Sequence, residues 1–506
     1  MEPQKDHVIH TSKGTFVGQV EKSGVISFKG IPYAKPPVGE LRWQPPQPID
    51  ENDFIMPADK FPPAPIQPDM ADALAKRLGE SPHTPQSEDC LYLNMWCWDT
   101  ATPKKAILFW IYGGSYTIGH ASRLQERGEA LVANNHDIVV VACNYRLGVF
   151  GSLNLSSIDP EGRCKYSCNL NLLDQQAALK WVKENALAFG GDPDRITLYG
   201  HSAGSNSISH HLAIEESAAL FQQAICQSSF LVGHGTVSYE ESKASADKIF
   251  DFLNITSLDD AYAVSAERLL CAQVKFFGQA YTPPVNDDIV VFPDELGRIA
   301  RGEVRKKAFL IGNSTGEYDQ LFAGLSSEEA LDKAFARNSE RLGENGRNIL
   351  RAYAKTHPEM DETLAYMTAN NELGMTLGGE IQAQACSEHN TVYKFLFSWA
   401  DPEKGGRAPH GAPCPFFFGN NIPLCAPESL KATLQKSWVN FIRTGDPNIP
   451  EIPTWKPYEK DLNQTMKIDE HWEPLNNPWK SDYQFWHDYF PEMDIVEERR
   501  NHGAGD

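Results

Sequence analysis

One stretch constrains this chain more than any other: Ile196-Thr197-Leu198-Tyr199 runs into Gly200-His201-Ser202-Ala203-Gly204, and Ala203–Leu212 then reads as a helix. A strand that turns sharply into a helix at G-x-S-x-G holds its serine hydroxyl at the carboxyl edge of a sheet. The flanking glycines keep neighbouring backbone from clashing there. A glycine-flanked helix cap at Ser202 is the plain structural alternative. Short apolar or β-branched runs at Ala106–Ile111, Ile138–Cys143, Arg195–Tyr199, Gln223–Gln227, Ala308–Gly312 and Val392–Phe397 alternate with helix-like stretches. That alternation predicts an α/β fold with a large, mostly parallel, doubly wound sheet and helices on both faces. Leu172–Ala188 carries a helical stripe of Leu173, Ala177, Leu179, Trp181 and Val182, with Gly190-Gly191 as its stop.

At about 150 residues per domain, 506 residues would make about three domains. A single catalytic domain, 1–506, carrying insertions explains the pattern better. Residues 55–87 are Pro-rich and polar around one amphipathic stretch, Met70–Leu78, and read as an excursion over the surface rather than a sheet element. Residues 326–375 are helically patterned with few strand signals, which reads as a helical cap over a pocket.

The formal net charge is −21, which repels phosphate backbones and anionic lipid heads, so nucleic acid and membrane surfaces are excluded as partners. No run of about 18 apolar residues appears, and Met1–Phe16 lacks the apolar core of a signal peptide. Ten cysteines are too sparse for a disulfide scaffold. Cys164 and Cys168 have no second pair or flanking His to complete a metal site.

A serine nucleophile needs a base for its proton and donors for the oxyanion. Phe109-Trp110-Ile111-Tyr112-Gly113-Gly114-Ser115-Tyr116 is a strand ending in a glycine turn, where bare backbone can aim N–H groups at a developing negative oxygen. A structural tight turn is the bland reading of the same glycines.

Longer motifs lie at intervals from end to end: Phe28-Lys29-Gly30-Ile31-Pro32-Tyr33-Ala34, Glu88-Asp89-Cys90-Leu91-Tyr92-Leu93-Asn94, Asn144-Tyr145-Arg146-Leu147-Gly148, Phe189-Gly190-Gly191-Asp192-Pro193 and Arg443-Thr444-Gly445-Asp446-Pro447-Asn448. In that order they make the chain resemble the type B carboxylesterases of the α/β-hydrolase fold, the family of the cholinesterases and bacterial p-nitrobenzyl esterases. The resemblance implies a serine carboxylic-ester hydrolase with a Ser-His-Glu triad, an acyl-enzyme intermediate, a small-molecule ester substrate and no metal or organic cofactor. The family's Gly-x-Asn-x-x-Glu pattern fits Gly312 to Glu317, with its Asn moved forward to Asn313; this makes Glu317 the expected acid and leaves Asp319 as local competitor. The family's His-Gly ahead of a Phe-rich run fits His410-Gly411 and Phe416-Phe417-Phe418-Gly419, so His410 is the expected base. The order Ser202, Glu317, His410, each after a strand candidate, also suits this fold on chemical grounds. Backbone N–H groups of Gly114, Ser115 and Ala203 would hold the oxyanion, and Tyr116, His201, Phe230 and Phe416 would line the substrate pocket.

The chain departs from the family at several of these positions. His201 replaces the usual Glu before the nucleophile, which argues against a preference for cationic alcohols. Ser115 replaces the usual Gly of the oxyanion turn and narrows the approach, and Ser205 and Ser229 also replace Gly. Cys90 and Cys271 lack the partners that secreted relatives join in disulfides, which supports a reducing, cytoplasmic setting. Arg42 with Glu88, and Arg146 with Asp174, occupy motifs used for structural ion pairs. A catalytically silent recognition module, like the neuroligins, is the alternative from another class; a hydrolase dedicated to one amide, carbamate, lactone or ester is the alternative among enzymes. Oligomeric state is not legible.

Overall fold

A computed structural model of the chain describes residues 6–50, 54–69, 84–229, 236–278, 283–420, 422–423 and 425–490. Strands β1 (Asp6–Thr11), β2 (Gly14–Val20) and β3 (Ile26–Pro32) form an antiparallel meander at one edge, extended by antiparallel β4 (Tyr92–Cys97). The parallel centre holds β5 (Lys105–Ile111), β6 (Ile138–Cys143), β7 (Gly191–His201), β8 (Gln223–Gln227), β9 (Ala308–Ser314), β10 (Thr391–Phe397) and β11 (Gln464–Ile468). Antiparallel β12 (Glu473–Asn476) closes the far edge. The spatial order is β1-β2-β3-β4-β6-β5-β7-β8-β9-β10-β11-β12 within a sheet of 13 strands.

Every residue of β5 and β6 is buried, because helices cover both faces and leave no polar side to the strand. Lys105 is tolerated there by sending its ammonium to the carbonyls of Asp99 and Thr102, at 2.9 and 2.7 Å. The fold is the α/β-hydrolase arrangement expected from the sequence. The antiparallel strands β1 to β4 were not foreseen. β1 buries only Ile9 among exposed and partly exposed positions and carries His7 and His10, so its apolar signal is diluted.

Helix α1 (Leu170–Asn185) passes into a tight 3-10 turn, Ala186–Phe189, that stops at Gly190 with φ 77°. Helix α2 (Ala203–Ala213) follows β7. The segment expected to be a helical cap contains α3 (Ser327–Leu342), α4 (Gly346–Thr356) and α5 (Glu362–Asn371), and a π-turn, Glu372–Thr376, leads into α6 (Leu377–Ser387). Helices α7 (Pro413–Phe418) and α8 (Lys480–Tyr489) complete the elements used below.

The reading of 55–87 as a pure surface excursion is corrected in part. Ile55–Pro57 pairs with β2 as a strand of the main sheet, and Ala64–Pro65 pairs with Gln86–Ser87. The amphipathic stretch Met70–Leu78 lies outside the described residues.

Two ion pairs tie neighbouring loops together. Arg146 grips Asp174 through Nε and Nη2 at 2.8 and 2.7 Å, both side chains being buried. Arg42 grips Glu88 in the same two-pronged way at 2.6 and 2.7 Å. All ten cysteines are free thiols.

Candidate active site

Ser202 sits at the turn from β7 into α2 with φ 57° and ψ −122°, a conformation that L residues avoid unless the surroundings hold them there. Its N–H donates to the Gln227 carbonyl at the end of β8, 2.9 Å away. The two glycines of the motif are required by close passage of backbone. A Cβ on Gly200 would lie 2.2 Å from the Gly204 carbonyl oxygen, and one on Gly204 would lie 2.0 Å from that of Ile111. The residue between them is only 4% exposed.

The turn after β5 packs directly on this elbow: a Cβ on Gly113 would stand 2.8 Å from the Ser202 Cβ. Gly114, Ser115 and Tyr116 then take φ values of 130°, 56° and 54° in succession. Successive backbone N–H groups in a turn can form a concave, anion-binding surface. The Ala203 N–H opens the first turn of α2, where helix amides have no partner within the helix. The contact of Gly113 with Ser202 therefore sets the glycine turn against the start of α2. Gln67 pins the end of the turn, accepting the Gly119 N–H at 2.7 Å and donating to its carbonyl at 2.9 Å.

On the other side, Nδ1 of His410 lies 2.5 Å from Oε2 of Glu317. Glu317 is wholly buried, while the imidazole is 19% exposed. The second oxygen of Glu317 accepts the Ser228 hydroxyl and the Ser314 N–H, each at 2.7 Å. Three donors around one carboxylate fix its plane and thereby the orientation of the ring. The His410 ring stands 4.4 Å from that of His201, which places it beside the nucleophile turn. Asp319 is engaged elsewhere. Its oxygens take Arg407 Nε and Nη2 at 2.9 and 2.8 Å, and Asn371 at 2.7 Å.

The expected pocket residues divide. His201 flanks the imidazole. Tyr116 is fully buried and accepts the Ser207 hydroxyl at 3.1 Å, so its ring packs against α2. Phe416 is buried against Phe397 and Trp399, with ring centroids 5.5 and 5.2 Å away. Phe230 lies outside the described residues. Burial raises the phenols of Tyr116 and Tyr318 and the thiol of Cys414, so all three stay neutral near the site.

Sequence reasoning missed Ser228, which turns at φ 56° beyond β8 to reach Glu317. A serine next to one at a usual glycine position, Ser229, was the available signal. Ser205 and Ser229 do pair, hydroxyl to hydroxyl at 2.6 Å, and Ser229 continues to Gln382 at 2.8 Å. The two substitutions for glycine thus satisfy each other.

A hydroxyl at a strained elbow, an imidazole backed by a buried carboxylate and a glycine turn packed on the elbow are the kinds of group that acyl transfer uses. Residues 5–486 match the model of the carboxylesterase family. The chain is 33% identical over 494 residues to a para-nitrobenzyl esterase of Bacillus subtilis, covering 93% of this chain and 96% of the relative. It is 28% identical over 479 residues to a fumonisin B1 esterase of Sphingopyxis macrogoltabida, covering 90% and 85%. The structure of a Geobacillus stearothermophilus carboxylesterase superposes with a TM-score of 0.83 at 31% identity, over 95% of this chain and 99% of that one. With this architecture and these relatives, the chain belongs to the carboxylesterase family and is a carboxylic-ester hydrolase.

Proposed function

We propose that the protein hydrolyses small to medium, largely uncharged carboxylic esters through an acyl-enzyme on Ser202. His410 takes the Ser202 proton as the hydroxyl attacks the ester carbonyl; Glu317 orients the imidazole and stabilises its cationic form. The N–H groups of Gly114, Ser115 and Ala203 hold the tetrahedral oxyanion. His410 then protonates the departing alcohol. It next activates a water, which releases the acid and returns the serine.

The observation that carries this reading is the 2.5 Å contact between His410 Nδ1 and Glu317 Oε2 beside the elbow. The absence of an acidic side chain at His201 supports uncharged alcohol groups. A single catalytic domain over 1–506 fits the unbroken sheet, and ten free thiols support a cytoplasmic setting. Among the described residues no helix is long and apolar enough to cross a membrane. A hydrolase dedicated to one ester is the second reading; it is supported by the Ser115 side chain in the oxyanion turn and by the similarity to a fumonisin B1 esterase.

The test is an organophosphonate serine probe read by intact mass and peptide mapping, together with p-nitrophenyl acetate and butyrate. One adduct on Ser202 and a burst that disappears in Ser202→Ala are expected. Full turnover in Ser202→Ala would remove the assignment, and no adduct on folded protein would favour a silent binding module.

A further inference from the structure

Asp319 and Arg407 each stand close in sequence to a member of the proposed triad, Asp319 past Glu317 and Arg407 ahead of His410. Their two-pronged pair joins the loop that carries the acid to the loop that carries the base. Backbone closes the same gap: the Gly316 N–H donates to the Ala408 carbonyl at 2.8 Å, and the Ala408 N–H to Thr315 Oγ1 at 3.1 Å. Space here is tight, since a Cβ on Gly316 would lie 2.6 Å from Asp319 Oδ2 and 2.8 Å from the Arg407 Cβ.

The helical segment braces this junction from behind. Asn371 of α5 donates to Asp319 at 2.7 Å and accepts the Tyr318 N–H at 2.8 Å. Thr368 of α5 accepts Arg407 Nη1 at 2.9 Å. Arg337 of α3 lies 4.4 Å from the Tyr318 ring, which in turn lies nearly parallel to His410 at 6.3 Å.

We propose that the Asp319–Arg407 pair is a clasp that positions His410 on Glu317, with α3 and α5 as its backing. The inference rests on the proposed triad. Both members are positioning residues, because neither touches the hydroxyl, the imidazole or the oxyanion turn. The Arg407 and Asp319 side chains are 26% and 17% exposed, so losing the pair lowers stability as well, while a planar fork against a carboxylate fixes orientation closely. The clasp is therefore read in kcat per folded molecule and in the geometry of the imidazole, not in the melting temperature alone.

Asp319→Asn and Arg407→Lys separate charge from fork, and each is read by steady-state kinetics on p-nitrophenyl butyrate and by the downfield proton resonance of the His410–Glu317 hydrogen bond. That resonance is identified by its absence in Glu317→Gln. Each variant is expected to lose about tenfold in kcat, since small misplacements of a catalytic group are costly. KM should stay within about twofold, the resonance should broaden or vanish, and the double variant should be no worse than either single one. Asp319→Glu, which keeps the fork's partner, is expected to recover part of kcat. Unchanged kcat with an unchanged resonance overturns the clasp. So does a rise in KM alone, or a lower melting temperature with kcat per folded molecule intact. A wild type that turns over no ester would sink the hydrolase reading instead, and the resonance would still judge the clasp.

Discussion

Glu317 holds His410 with one carboxylate oxygen at 2.5 Å, while its other oxygen is occupied by Ser228 and Ser314 at 2.7 Å. Glu317→Gln keeps the shape but places an amide against the imidazole, which then prefers the wrong tautomer. A loss of roughly 10³ to 10⁴ in kcat is expected on p-nitrophenyl butyrate. Asp319→Asn should cost only about tenfold, because Asp319 contacts Arg407 and Asn371 and not the imidazole. The reverse ranking would move the acid to Asp319.

Gly204→Ala should abolish labelling by the phosphonate probe. The new methyl would press to 2.0 Å from the Ile111 carbonyl oxygen, and backbone at the end of β5 cannot retreat without disturbing Gly113 and Ser202. A variant that labels at the wild-type rate would show that the elbow and the glycine turn are not in contact.

Ser115→Gly should broaden the acyl range. The residue has φ 56°, where glycine is at ease, and removing its side chain opens the oxyanion turn. The kcat/KM for p-nitrophenyl hexanoate relative to acetate is expected to rise severalfold; an unchanged ratio would mean that Ser115 does not limit the pocket.

Asp174→Asn leaves the buried Arg146 guanidinium without its counter-charge. Breaking such a pair costs about 3–5 kcal/mol, which urea unfolding should report as a lower midpoint. Glu328→Gln removes the partner of Arg351 at the surface, where the side chains are 45% and 72% exposed, and should cost about 0–1 kcal/mol. Equal losses would contradict the role given to burial.

Glu372 lies under α8, where it accepts Trp486 Nε1 at 2.7 Å. Desolvation, with Asp482 adding repulsion, pushes its carboxyl up from 4.5 to about 8. The folded state therefore holds a proton that the unfolded state releases above pH 4.5. This contribution to stability is complete below about pH 4.5 and is lost as the pH rises through about 8. Glu372→Gln should melt higher relative to wild type at pH 8.5 than at pH 5. A pH-independent difference between the two melting temperatures would refute the protonated carboxyl.

Some of this was open to reading in the primary structure because its causes are local. Gly200 is demanded by the Gly204 backbone four residues on, and strands buried on both faces, such as Ile138–Cys143, leave continuous apolar runs. Edge strands such as β1 leave no such trace, because half of each strand faces water. Aromatic identity does not separate a core ring from a pocket wall, so Tyr116 and Phe416 could be named but not placed. The choice between Glu317 and Asp319 is of another kind. Both are acids on one turn, and only the fold, by bringing His410 and Arg407 to that turn, gives each carboxylate its partner across 93 and 88 residues of chain. Contacts at that separation depend on how the whole sheet assembles, which no local pattern encodes.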